Sequence, residues 1–207
     1  MALIVPVMVR GINNLSDARY CAGMGADSLT FRLDPAWPDH LSPDAVKELG
    51  GWVSGVQLIG EFDTLSVDEI NALAQACGLH GVLLHRRRPA HELAELTVPA
   101  YKLITWIPDM LPEDVELRFR EQQATYAGFV LAQAPSPLPS AAQLTRLTEQ
   151  ARRYAIWLGE GYAPTDIRNF VETVRPAGIV LEGGHEIKPG LRDFEEMEAV
   201  FEALEDE

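Results

Sequence analysis

Eight polar side chains stand at or near the ends of short apolar runs: Arg10, Arg32, Gln57, His85, Lys102, Gln133, Glu160 and Glu182. Arginine and lysine are cations that clamp carboxylates and phosphates, whereas glutamate and histidine can move protons near neutral pH. If these runs are strands, alternation of side-chain direction makes Arg10, Arg32, His85 and Glu182 the members expected to point inward. Two kinds of chemistry follow. Arg10 and Arg32 balance Glu160 and Glu182, so ion pairs filling the open end of the sheet are one expectation, because buried charges must be partnered. The other is an acid–base site, with Glu160 or Glu182 as base and Arg10 or Lys102 as anion clamp. His85 reads first as a satisfied structural histidine and second as a catalytic one. Arg86, Arg87 and Arg88 read as a solvated loop face that is able to recruit an anion. His40, His80 and His91 lack metal-ligand spacing, so neither metal nor cofactor is expected. Trp37, Trp52, Trp106 and Trp157 read as packing residues.

The elements that must position these groups alternate regularly. Leu3–Val9, Ser28–Leu33, Trp52–Ile59, Gly81–His85, Tyr101–Trp106, Ala127–Ala132, Ala155–Leu158 and Gly178–Leu181 have β-strand character. Between them lie amphipathic segments with recognisable starts: Asn14, Ser42-Pro43-Asp44, Ser66, Pro89, Pro112, Ser140 and Pro164, with Asp193 opening the last. Eight strands alternating with eight helices predict a parallel sheet closed into a single-domain (β/α)8 barrel over residues 1–207. A doubly wound sheet is the alternative, but no glycine-rich dinucleotide fingerprint follows the first strand.

Composition narrows the partners. Formal net charge is −14, from 17 Lys and Arg against 31 Asp and Glu. That repels phosphate backbones and anionic membranes, so nucleic acid and membrane surfaces are not expected partners. No apolar run reaches the ~20 residues of a membrane span, and residues 1–10 lack the pattern of a signal peptide. Cys21 and Cys77 lie on apolar helix stripes, which reads as buried free thiols in a reducing cytoplasm.

Two stretches carry a family resemblance. Val7-Met8-Val9-Arg10-Gly11-Ile12-Asn13-Asn14-Leu15-Ser16-Asp17-Ala18 resembles the opening of phosphoribosylanthranilate isomerases, which read lysine, hydrophobic, cysteine, glycine, isoleucine, threonine, asparagine. Gly161-Tyr162-Ala163-Pro164 through Ile179, and Gly183-Gly184-His185-Glu186 through Asp193, resemble that family's closing segments. The resemblance implies a barrel performing an Amadori rearrangement in tryptophan biosynthesis. There an aspartic acid opens the ribose ring and a cysteine thiolate removes a proton from the adjacent carbon. It places Arg10 at the cysteine position and Ala132 or Gln133 at the aspartate position. A guanidinium stays protonated and cannot be a base, and neither alanine nor glutamine can supply the acid.

The resemblance also implies a phosphate site at Gly161, Gly183 and Gly184, with Glu160 and Glu182 intruding as anions. The family's carboxylate-binding arginine has no clear counterpart, although Arg32 is near. The expectation is therefore an isomerase-like barrel without that activity. Two alternatives remain: an enzyme on another small, anionic or phosphorylated metabolite, or an isomerase using substitute residues. Both monomer and homodimer fit.

Overall fold

The computed structural model describes residues 2–105, 117, 119–120, 126–132, 141–159, 164–183, 185–188 and 191–206. Eight parallel strands close on themselves in chain order: β1 Val7–Arg10, β2 Ser28–Arg32, β3 Gln57–Phe62, β4 Gly81–Leu84, β5 Ala100–Ile104, β6 Gly128–Leu131, β7 Ile156–Leu158 and β8 Gly178–Glu182. Closure runs through β8 against β1, with Arg10 opposite Glu182 and Met8 opposite Val180. This is the (β/α)8 barrel, and the doubly wound alternative is set aside by the closed ladder.

Seven helices lie among the described residues: α1 Leu15–Gly23, α2 Pro43–Gly51, α3 Val67–Cys77, α4 Ala90–Ala94, α5 Ala141–Ala151, α6 Pro164–Val174 and α7 Glu195–Ala203. Their starts are chemically marked. Asn14 accepts from the Asp17 amide, Ser42 from the Ala45 amide with Pro43 following it, and Ser66 with Glu69 forms a reciprocal capping box. The segment opened by Pro112 and the cap at Ser140 lie outside the described residues. α3 buries Val67, Ile70, Ala74 and Cys77 on one stripe. Each large aliphatic so placed stabilises the fold by about 1.5–3 kcal/mol.

The barrel has two apolar layers. Odd positions of β1, Val7 and Val9, face outward into the main core beneath the helices. Even positions face inward, where Met8, Ile59, Leu83, Val130 and Val180 form a separate cluster with Tyr101, Leu103 and Trp157 packed against it. Gly178 sits so close to Trp157 that an added Cβ would lie 2.2 Å from the indole ring. This inner plug is the floor beneath the C-terminal ends of the strands, where barrel enzymes hold their chemistry.

Three sequence expectations need correction. The third strand is Gln57–Phe62 rather than Trp52–Ile59, because Gly55 takes φ +78° and turns the chain before the ladder begins. Trp52 is 62% exposed rather than packed. The closing helix starts at Glu195, and Asp193 instead ends an antiparallel pair, β9 His185–Lys188 with β10 Leu191–Asp193. No helix among the described residues is long and apolar enough to cross a membrane.

Candidate active site at the barrel mouth

Two residues above the apolar floor, the inward positions of β1, β2 and β3 are Arg10, Thr30 or Arg32, and Glu61. Glu61 is the centre of the mouth. Its side chain has no solvent exposure, and four donors fill its acceptor positions. Arg10 reaches it twice, Nε donating to Oε1 at 3.1 Å and Nη2 to Oε2 at 2.8 Å. The Thr30 hydroxyl donates to Oε1 at 2.5 Å and the His85 ring to Oε2 at 2.7 Å. Burial alone would raise the Glu61 carboxyl. The His85 hydrogen bond, with the charge and hydrogen bonds of Arg10, outweighs that and holds it well below the usual carboxylate range.

Arg10 spends a third donor, Nη1, on Glu182 Oε1 at 2.7 Å. The Glu182 side chain is one-third exposed and marks the solvent edge of the cluster. The Gly11 amide donates to the Thr30 hydroxyl at 3.1 Å, which turns that hydroxyl towards Glu61. Gly11 itself has φ +71°, a conformation glycine adopts without strain, and this frees the chain to leave β1 directly beside Arg10.

His85 follows β4 with 23% of its side chain exposed. The Trp37 indole, from the loop after β2, packs on the ring at 4.8 Å between centroids and a 58° tilt. That loop is tied down by Asp34, whose carboxylate accepts from the amides of Ala36, Asp63, Thr64 and Leu65 and from the Thr64 hydroxyl. Burial would raise the Asp34 carboxyl, but the amides of Ala36, Asp63 and Thr64 and the Thr64 hydroxyl pull it far below the ordinary range.

Other sequence candidates are placed differently. Arg32 leans outward to pair with Asp39 rather than with Glu160 or Glu182, because the loop beyond β2 brings Asp39 back beside it. Lys102 faces away from the barrel interior, on the parity opposite Tyr101 and Leu103. Its ammonium donates to the carbonyls of His85 at 2.7 Å and Leu103 at 2.6 Å, so it bridges strand ends instead of reaching the mouth as an anion clamp.

Gly183 sends its amide to the Arg10 carbonyl at 2.7 Å, extending the β8–β1 ladder instead of offering that N–H to a phosphate. A Cβ there would meet the same carbonyl at 3.0 Å. Arg88 is nearly buried, bonded to Glu92 and to the Leu65 carbonyl, while Arg86 stays exposed beside Asp63; the three arginines are not one solvated face. Gln57 is the exposed first residue of β3. Ala132, one residue beyond β6 on the parity of Val130, offers only a methyl group. Glu160, Gly161, Gly184, Gln133 and Trp106 lie outside the described residues.

Sequence reasoning missed Glu61 and Thr30. The signal was present: Gln57, Ile59 and Glu61 repeat the parity of Met8–Arg10 and Leu83–His85, but ending the strand at Ile59 hid it.

No family model matches the chain. Curated relatives do. An N-(5'-phosphoribosyl)anthranilate isomerase of Chlorobium chlorochromatii is 28% identical over 213 aligned positions, covering 96% of each chain. One of Deinococcus radiodurans is 28% identical over 209 positions, covering 97% of this chain and 96% of its own. The chain is a relative of the phosphoribosylanthranilate isomerases. Solved isomerases share its fold. The Thermotoga maritima enzyme superposes with a TM-score of 0.79 at 21% identity over 97% of this chain and 98% of its own. The Thermus thermophilus enzyme gives 0.74 at 24%, with the same coverage. The first strand of this barrel ends in a guanidinium held by two carboxylates.

Proposed function

We propose that the protein is an isomerase-like barrel that does not perform the relatives' Amadori rearrangement, and that its mouth serves a different small, anionic or phosphorylated metabolite. One observation carries this reading. Arg10, at the position where the resemblance puts a thiolate base, is buried and bonded to both Glu61 and Glu182. A cation so held accepts no proton at any accessible pH. The position of the acid supports the same view, since Ala132 cannot protonate a ring oxygen.

Glu182 adds to the argument. A one-third-exposed carboxylate at the rim repels a phosphate dianion placed beside the end of β8 unless Arg10 fully compensates it. A small metabolite with its charge displaced from that rim fits better than the relatives' named substrate.

Two measurements test the reading. Expression in a tryptophan auxotroph lacking the isomerase is expected to give no growth without tryptophan. The purified protein is expected to leave phosphoribosylanthranilate unconverted beyond the spontaneous rate. Protein-dependent growth, or turnover at an ordinary enzyme rate of about 1 per second or more, overturns the proposal.

A further inference from the structure

The contact between Glu61 and His85 has a defined proton. Glu61, ionised and accepting from four donors, can only accept, so the hydrogen in the 2.7 Å contact sits on His85 Nε2. In the neutral ring that choice leaves the lone pair on Nδ1. Among the described residues Nδ1 has no hydrogen-bond partner, and the ring is part open to solvent beside the Trp37 indole. A ring nitrogen with no protein partner in a part-exposed ring is open to solvent or to a ligand. Here one nitrogen is anchored on a buried anion and the other is left without a protein partner among the described residues, in a part-exposed ring at the strand ends where barrel chemistry occurs.

We propose that His85 is an acid–base catalytic residue of this mouth, with Nδ1 as its proton-accepting atom and Glu61 as its positioning residue. The reaction class is reversible abstraction of a proton from a carbon beside a carbonyl in a small sugar-like metabolite. This rests on the reading of the mouth given above. Nδ1 takes the proton from a hydroxyl-bearing carbon, and the C–H electron pair moves into the adjacent carbonyl to give an enediolate. Glu61 balances the imidazolium so formed; the hydroxyl proton passes to the former carbonyl oxygen, and Nδ1 returns its proton to the former carbonyl carbon. Substrate and product are isomers, so no oxidant, reductant or cofactor enters.

The charged groups around the imidazole are Glu61 from β3, Arg10 from β1 behind it, Lys102 from β5 on the His85 carbonyl, and the Arg86–Asp63 pair beside it. Arg10 and Lys102 are engaged by Glu61 and by backbone carbonyls, and Glu182 is held by Arg10 at the solvent edge, so the proton transfer is assigned to His85.

Three readouts test the proposal. In protein labelled with 15N-histidine, proton–nitrogen correlation spectra should show His85 as a single Nε2–H tautomer, and Glu61→Gln should give mixed tautomers. Diethylpyrocarbonate, mapped by mass spectrometry, should acylate His85, and Trp37→Ala should speed that several-fold without touching the charge cluster. The Trp37 arm keeps the test alive if Glu61→Gln fails to fold.

With ribulose 5-phosphate in D2O as probe, deuterium should enter beside the carbonyl at least about tenfold faster with wild type than with His85→Asn. An Nδ1–H tautomer, a His85 inert to the reagent, or equal exchange rates overturns the proposal. Growth of the auxotroph would overturn the earlier reading alone, because His85→Asn would then still report whether this histidine carries the activity.

Discussion

Replacing Arg10 with methionine keeps most of the aliphatic stem and removes the guanidinium from a carboxylate that has no access to water. Glu61 loses two of its four donors, at 3.1 and 2.8 Å, together with its countercharge. Removing one partner of a buried pair costs about 3–5 kcal/mol, most of it the penalty of leaving the other charge unpaired. The Glu182 arm adds less than about 1 kcal/mol, since that side chain is one-third exposed and water replaces the contact. The expected loss is therefore about 3–5 kcal/mol out of the roughly 5–15 kcal/mol that folds a domain.

With a urea slope of about 2–3 kcal/mol per molar for a chain of this length, the midpoint should fall by roughly 1–2 M at pH 7. Circular dichroism melts in urea read this directly. The gap to wild type should also narrow with acid. The Glu61 carboxyl is held below its ordinary range, so its stabilisation is complete above the unfolded value near ~4.3 and is lost as pH falls towards the folded one. A double-mutant cycle with Glu61→Gln should return a coupling above about 2 kcal/mol. A loss below about 1 kcal/mol, or additivity of the two changes, would refute the account of Glu61 as a buried, ionised, fully paired group.

Two further outcomes follow from groups outside the cluster. Asp34→Ala removes the acceptor of four backbone amides, so it should cost about 2–3 kcal/mol, lower the melting temperature by roughly 5–10 °C, and raise hydrogen exchange at Asp63, Thr64 and Leu65. Cys21, whose thiol is pushed up to about 12 by burial and then by the nearby Asp17, should react with a disulfide reagent at pH 8 at least about a hundredfold more slowly in the native protein than in guanidinium; comparable rates would contradict its burial against Met197.

The fold was legible because three of the helix starts carry their own capping chemistry. Ser42-Pro43, Ser66 with Glu69 and Asn14 specify their turns locally, and eight short apolar runs between them leave little choice of topology. The barrel mouth was legible only in part. Arg10, His85 and Glu182 could be placed by parity from strands whose ends were read nearly correctly.

Glu61 could not, because Gly60 lies in its strand and glycine reads locally as a break. Gly60 is tolerated there because its missing side chain makes room for Leu79 and Phe62, which would approach an added Cβ to 2.6 Å, a fact of tertiary packing absent from the local pattern. The Arg32–Asp39 pair escaped for a similar reason: only the loop's return path, with the Leu41 amide on the Arg32 carbonyl, brings Asp39 into reach. Lys102 was misjudged because a lysine at a strand end suggests a clamp, whereas parity sends it outward.

The Arg10–Glu61 pair also couples two positions that lie 51 residues apart in the chain. A change at Arg10 alone leaves Glu61 without its countercharge and out of reach of water, which forfeits a large share of a modest folding free energy. A redesign that puts a thiol at position 10 must therefore replace Glu61 in the same step, because the two side chains form one unit of exchange.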